Sequence, residues 1–163
     1  ARAEAGMAGE RWVAVDVSEL ARGVVENARA DERWKEVRFL FEGAQGAQVL
    51  GVAGGLETAI RNLVLNAASF NIAGGDVTVS IEVGDEHVVV AVRDTGPGIA
   101  AEDLPKVFDR FFTTRGGQKK GTGLGLALVR AVAEAHRGTA TVDSVEGSWT
   151  RFELRLFRQL PSG

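Results

Sequence analysis

Apolar residues recur along this chain at two spacings, and the switches between them predict the order of its elements. Leu20, Val24 and Ala28 stand four apart, on one face of a helix from a cap at Asp16 or Ser18 to about Ala30. Arg11 to Val15 reads as a short strand before it. Val37 to Phe41 and Gln48 to Val52 alternate as strands do, and Gly43 to Gly46 between them predicts a hairpin. Gly54 to Asn71 has helical phase. At roughly 100° per residue, Leu56, Ile60, Leu63, Ala67 and Phe70 fall within about 80° of one another, while Asn62, Asn66 and Ser69 cluster on an adjacent arc.

The second half alternates again. Val77 to Val83 and His87 to Arg93 predict two strands joined at Gly84-Asp85-Glu86, with Val77, Val79, Ile81 and Val83 on a buried face and Asp94 at the exit. Ala101 to Leu104 and Pro105 to Phe111 read as short helical turns. Gly123 to His136 reads as a helix with Leu124, Leu128, Ala131 and Ala135 on one face, ended by Gly138. Thr139 to Ser144 and Trp149 to Phe157 finish as strands. Because strands do not alternate strictly with helices, the expected class is α+β rather than a doubly wound parallel sheet.

Composition narrows the picture. The 163 residues are one domain's worth, 45% hydrophobic and 25% charged, as in ordinary globular proteins. Cysteine is absent, which excludes disulfides and cysteine-ligated zinc and fits a reducing compartment. A formal net charge of -3 argues against nucleic acid as a bulk partner. No apolar run reaches the ~18 residues of a membrane helix, and no secretory signal pattern opens the chain. Residues 1–10 read as a linker or lead and 11–160 as the domain, expected to be a piece of something larger.

Glycine is the informative excess. The chain has 21, about 13% against roughly 7% on average, and seven lie between Asp94 and Gly125. Asp94-Thr95-Gly96-Pro97-Gly98-Ile99 and Gly121-Thr122-Gly123-Leu124-Gly125-Leu126 bracket an aromatic and basic loop, a pattern suited to a nucleotide pocket. The spacing excludes two familiar phosphate loops. Gly121, Gly123 and Gly125 stand first, third and fifth, whereas the dinucleotide fingerprint needs first, third and sixth, and Thr122 stands where a P-loop from Gly116 requires Lys. A carboxylate at Asp94 can accept from the exocyclic amine of adenine, where guanine has no donor.

Together these motifs resemble the catalytic ATP-binding domain of sensor histidine kinases, in the fold family shared with gyrase, Hsp90 and MutL. Asn62-Leu63-Val64-Leu65-Asn66-Ala67 resembles the N box, Asp94 to Gly98 the G1 box, Phe108 to Phe112 the F box and Gly121 to Gly125 the G2 box. The resemblance runs from about Val15 to Leu156. It implies an α/β sandwich, with a mixed, largely antiparallel sheet covered on one face by three helices. It also implies ATP and Mg²⁺ as cofactors, with Asn66 as the magnesium ligand and Asn62 in support one turn earlier.

Further residues take roles from the same resemblance. Asp94, Gly96, Gly98 and Ile99 would hold the base. Phe70 stands at the usual aromatic position beside it, although its helical phase suits core equally. Phe108 and Phe112 would anchor the lid, with Phe108 and Phe111 packed. Gly121, Thr122, Gly123, Leu124, Gly125 and Leu126 would meet the phosphates ahead of a helix N-terminus. Thr113-Thr114-Arg115 resembles the lid opening, and Thr113 to Lys120 is expected to be mobile. Arg115, Lys119 and Lys120 either contact phosphate or form a solvated cluster, and Arg115 joins Asn62 and Asn66 as a catalytic candidate. Gly147 and Thr150 resemble a last box with Trp149 in place of the usual glycine. Ser69 stands where many relatives carry Lys.

The function implied is transfer of the γ-phosphoryl group of Mg-ATP to a histidine on a separate dimerisation and phosphoacceptor segment, and so indirectly to a response regulator. Neither His87 nor His136 lies in an acceptor-type helix, and His136-Arg137-Gly138-Thr139 reads as structural. A gyrase-like or Hsp90-like ATPase would place a general-base Glu where this chain has Asn62. An anti-sigma-factor serine kinase and a non-catalytic interaction module are the remaining alternatives. The expected setting is cytoplasmic, without nucleic acid or direct membrane contact.

Overall fold

A computed structural model describes residues 11–112, 114–115, 118–119 and 125–158. Strand β1 (Val13–Asp16) leads into helix α1 (Val17–Ala30), then β2 (Arg38–Glu42), β3 (Gln48–Gly51) and helix α2 (Ala53–Ser69). Strands β4 (Asp76–Val83) and β5 (His87–Asp94) follow. After a 3-10 turn at Leu104–Lys106, the two-residue strands β6 (Thr114–Arg115) and β7 (Gln118–Lys119) pair with each other. Helix α3 (Gly125–Ala135) and strands β8 (Thr139–Val145) and β9 (Trp149–Phe157) complete the fold.

The five-stranded sheet runs β2-β4-β5-β9-β8 and is antiparallel except between β2 and β4. One face carries Val77, Val79, Ile81, Val88, Val90, Val92, Phe152, Leu154 and Leu156, all buried. Val25 of α1, Leu56, Ile60 and Leu63 of α2, and Val129 and Val132 of α3 close over it as one core. Burying each such side chain contributes about 1.5–3 kcal/mol. The α+β sandwich with three helices is the expected architecture, though Val83 ends its strand exposed.

Asp16 is the cap of α1. Its carboxylate accepts from the Glu19 amide at 3.1 Å. Ser18 lies inside the first turn, where its hydroxyl accepts from the Ala44 amide at 3.2 Å. That contact helps explain why the expected hairpin does not form. The Val17 amide also donates to the Ala47 carbonyl at 2.8 Å, so the Gly43 to Gly46 loop is drawn towards α1. Strand β3 then pairs with β1, Val13 opposite Gly51, while β2 pairs in parallel with β4, Arg38 opposite Asp76. Alternation identifies a strand, but its partner is chosen by contacts far along the chain.

Helix α3 departs from its expected face in the same way. Val129, Val132, Ala133 and Ala135 are buried, while Leu128 is 40% exposed; Leu124 lies outside the described residues. In so apolar a helix two adjacent stripes have equal periodicity, and the β-branched valines take the sheet side. The helix ends in a Schellman arrangement. Arg137 adopts φ 57°, its amide donates to the Glu134 carbonyl at 3.1 Å, and the Gly138 amide donates to the Ala133 carbonyl at 2.8 Å. Arg137, not Gly138, therefore takes the left-handed position. Gly138 is needed for another reason, because a Cβ there would lie 1.7 Å from the Arg155 carbonyl oxygen.

His136 joins three elements at this end. Its Nδ1 lies 2.8 Å from the Val132 carbonyl, which can only accept, so the proton sits on Nδ1. Nε2 accepts from the Val52 amide at 3.1 Å, and the Trp12 ring lies 4.8 Å away. The structural reading of His136 agrees with this burial. Burial pushes its pKa below the ordinary value, outweighing the opposing bond to Val132. The unfolded chain then binds the proton first as pH falls. Stability from this group is complete above the unfolded value near 6.5 and is lost as pH drops towards the folded value, by at most about 1.4 kcal/mol per pH unit. Urea denaturation of the parent and of His136→Asn between pH 7.5 and 5 should show the parent losing stability faster; parallel curves would contradict the assignment.

Candidate functional site

Asp94 is the last residue of β5 and faces Thr150 of β9 directly across the ladder. Both have 0% exposure. Side chains so paired have Cβ atoms about 4.5–5.5 Å apart. A buried carboxylate is costly unless hydrogen-bonded, and Asp94 Oδ1 accepts from the Gly96 amide at 3.0 Å. The turn after it is held at its start by Thr95, whose amide donates to the Asp76 carbonyl and whose hydroxyl accepts from the Asp76 amide at 2.9 Å.

Glycine is required at both positions of this turn. A Cβ on Gly96 would lie 2.7 Å from the Phe70 carbonyl oxygen and 3.0 Å from Asp94 Oδ1. Gly98 has φ +75°, and a Cβ there would lie 2.4 Å from the Val145 carbonyl oxygen. The Pro97 carbonyl accepts from the Gly147 amide at 2.6 Å. The turn is thus wedged between the C-terminus of α2 and the β8–β9 hairpin.

Helix α2 brings its polar flank to the same region. Asn62 and Asn66 are half-buried, and Asn62 Nδ2 donates to the Gly125 carbonyl at 3.4 Å, beside the first turn of α3. The helix that carries Asn62 and Asn66 and the helix that begins at Gly125 therefore meet. Phe70 is buried at the C-cap of α2, with its carbonyl facing Gly96. Ile99 is buried in the core and Leu126 packs partly buried against it.

The aromatic segment divides by role. Phe108 lies in the core, edge-on to Phe152 at 5.8 Å, and Phe112 packs against it half-buried. Phe111 is not packed as expected. It is 68% exposed at φ 70°, in a left-handed conformation that turns the ring outward, with the Arg110 guanidinium 5.8 Å from it. The backbones of Arg115 and Lys119 lie in β6 and β7, whereas their side chains, Thr113, Lys120 and Gly121 to Leu124 lie outside the described residues.

Two residues join the site that the sequence reading did not select. Ser144 accepts from the Ile99 amide at 2.8 Å and lies 3.0 Å from the Thr150 hydroxyl. Its place was open to inference, because a tight turn at Glu146 to Ser148 puts Ser144 opposite Thr150. Asn71 Nδ2 donates to the Asp76 carbonyl at 2.9 Å and Oδ1 accepts from the Ile72 amide, fixing the α2–β4 connection beneath Gly96.

A mixed sheet under three helices, with a buried acid, a wedged glycine turn and paired asparagines, defines an ATP-binding sandwich of the kinase and ATPase type. Residues 51–160 match the histidine kinase-, DNA gyrase B-, and HSP90-like ATPase family, and the chain belongs to it. It is 40% identical over 162 residues to the probable sensor histidine kinase TcrY of Mycobacterium tuberculosis, covering 96% of this chain and 33% of that protein. Its fold is similar to the mycobacterial sensor histidine kinase MprB, at TM-score 0.75 and 29% identity, over 90% of this chain and 99% of that one. It is also similar to full-length ShkA in complex with AMPPNP, at TM-score 0.79 and 25% identity, over 98% of this chain and 35% of that one. The chain spans about a third of the length of the curated relatives it matches.

The wedge has a measurable consequence. Gly96→Ala should cost about 1–3 kcal/mol, because backbone and a buried carboxylate surround the added methyl. Gly23→Ala, in the middle of α1 with nothing within 4 Å of the added atom, should instead stabilise by roughly 0.5–1 kcal/mol. Chemical denaturation of both variants checks the pair; a neutral Gly96→Ala would mean that the turn is loosely packed.

Proposed function

We propose that this domain binds Mg-ATP and donates the γ-phosphoryl group to a histidine on a separate dimerisation and phosphoacceptor segment, as the catalytic part of a two-component sensor kinase. The observation that carries the reading is the buried pair of Asp94 and Thr150 beside a turn that leaves no room for a side chain. Asp94 accepts from the adenine amine, with Gly96, Gly98 and Ile99 as the wall beside it. The half-buried amide of Asn66 would supply a magnesium ligand, and Asn62 holds the start of α3 in register. Among the described residues no three His, Cys, Asp or Glu converge, so the ion would complete its shell with water and phosphate oxygens, as magnesium ordinarily does. It would supply charge neutralisation at the β- and γ-phosphates.

The segment from Gly121 to Gly125 leads into α3, whose N-terminal dipole suits phosphate. Arg115, Lys119 and Lys120 are the lid cations on this reading. The names of the relatives and the AMPPNP complex of ShkA support it. His136 is buried with both ring nitrogens engaged, which supports a structural role for it rather than that of the acceptor. Exposed Phe111 and Leu128, on either side of the lid in sequence, offer apolar surface for that segment. A response regulator then takes the phosphoryl group from it. Asn62 in place of a general-base Glu favours transfer over hydrolysis.

Isothermal titration of the domain with ATP, ADP and GTP tests this directly. Adenine nucleotides should bind in a magnesium-dependent manner and GTP should not. Asp94→Asn keeps an oxygen for the Gly96 amide but loses the charge-assisted bond to the amine, worth about 1.5–3 kcal/mol. ADP affinity should fall roughly tenfold to over a hundredfold. An unchanged affinity would remove the base-reading role.

A further inference from the structure

Asp94, Thr150 and Ser144 form one row across three adjacent strands, Asp94 opposite Thr150 and Thr150 opposite Ser144. Directly paired residues point to the same face of a sheet, so the three side chains run from the heart of the site to its edge strand. The hydrogen bonds of Ser144 determine the polarity of the row. A hydroxyl has one proton to donate and two lone pairs to accept with. Ser144 Oγ donates that proton to the Trp149 carbonyl at 2.7 Å, since a carbonyl can only accept. One lone pair takes the Ile99 amide at 2.8 Å. The remaining contact, 3.0 Å to Thr150 Oγ1, must then be donated by Thr150.

We infer that Ser144 is a positioning residue for base selection: by taking the Thr150 proton it fixes Thr150 as an acceptor beside Asp94. The inference rests on the adenine reading of Asp94. A carboxylate that accepts from the Gly96 amide and a proton-committed hydroxyl side by side turn acceptor oxygens towards the interior of the site. They favour a base edge, or a bridging water, that brings N–H or O–H groups, and they disfavour a keto oxygen at the purine 6-position. Through the Ile99 amide the same serine ties this polarity to the G1 turn. Without Ser144 the Thr150 hydroxyl is free to rotate and donate into the site, where it can serve the keto oxygen of hypoxanthine.

The test compares ADP with IDP, which differ at the 6-position, by calorimetry on the whole domain. In the parent ADP should bind more tightly than IDP. Ser144→Ala should lower that preference roughly three- to tenfold, the range expected for one hydrogen bond. Ser144→Thr, which keeps the hydroxyl, should restore it. Ser144→Cys keeps the volume while weakening the bonds and should shift the ratio in the same direction if the alanine variant fails to fold. In a Thr150→Val background Ser144→Ala should change the ratio no further. Equal weakening of ADP and IDP, or an unchanged ratio in both Ser144→Ala and Ser144→Cys, would reduce Ser144 to a structural contact and overturn the inference while leaving the functional reading intact. Failure of the parent to bind either nucleotide would overturn both.

Discussion

A carboxylate with no solvent contact sits at the end of a central strand, and the surrounding structure is arranged so that it can stay there. Burying Asp94 is unfavourable unless its oxygens are met by donors. The Gly96 amide meets one of them because the chain reverses immediately after the strand, and it can reverse there only because neither Gly96 nor Gly98 carries a side chain. Phe70 at the end of α2 and Val145 at the start of the β8–β9 turn press on the two glycines from opposite sides. Helix, sheet and hairpin thus share one small contact, which makes this end of the site a rigid feature rather than a loop.

By sequence, the glycine-rich run from Gly121 to Gly125 and the basic segment before it offer little apolar surface to pack. Such a division suits the proposed ATP-dependent histidine kinase. A base can be recognised by a preformed pocket, whereas a triphosphate must be enclosed and its product released. Helix α3 is fixed to α2 at two points, since the carbonyl of its first residue, Gly125, accepts from Asn62 and His136, just beyond its last residue, accepts from the amide of Val52, the N-cap of α2.

Much of this was legible in the sequence because local pattern and chemistry coincided. The phase of α2 separated Leu56, Ile60 and Leu63 from Asn62 and Asn66, and the Asp-Thr-Gly-Pro-Gly run fell at a strand exit. What was not legible depended on partners distant in sequence. The β2–β3 hairpin was expected from a glycine loop, but Ser18 and Val17 hold that loop against α1. Leu128 and Val129 were equivalent by period until the sheet chose the valines. Arg137 carries the left-handed φ expected of Gly138, because Gly138 is reserved for close approach to Arg155. Ser144 is a different case: the turn at Glu146 to Ser148 made its pairing with Thr150 inferable, but a lone serine in a strand carries no motif to single it out.

The central claim is that the acid end of the site is built before any ligand arrives. Native-state hydrogen exchange of the nucleotide-free domain tests it most directly, through the amides of Gly96, Ile99 and Gly147. Each donates to a fixed partner, Asp94, Ser144 and the Pro97 carbonyl respectively. If the turn is locked, these amides should exchange only on global or near-global unfolding, as slowly as those of β5 and β9. Exchange as fast as in exposed loops, with protection appearing only after nucleotide is added, would contradict a preformed site.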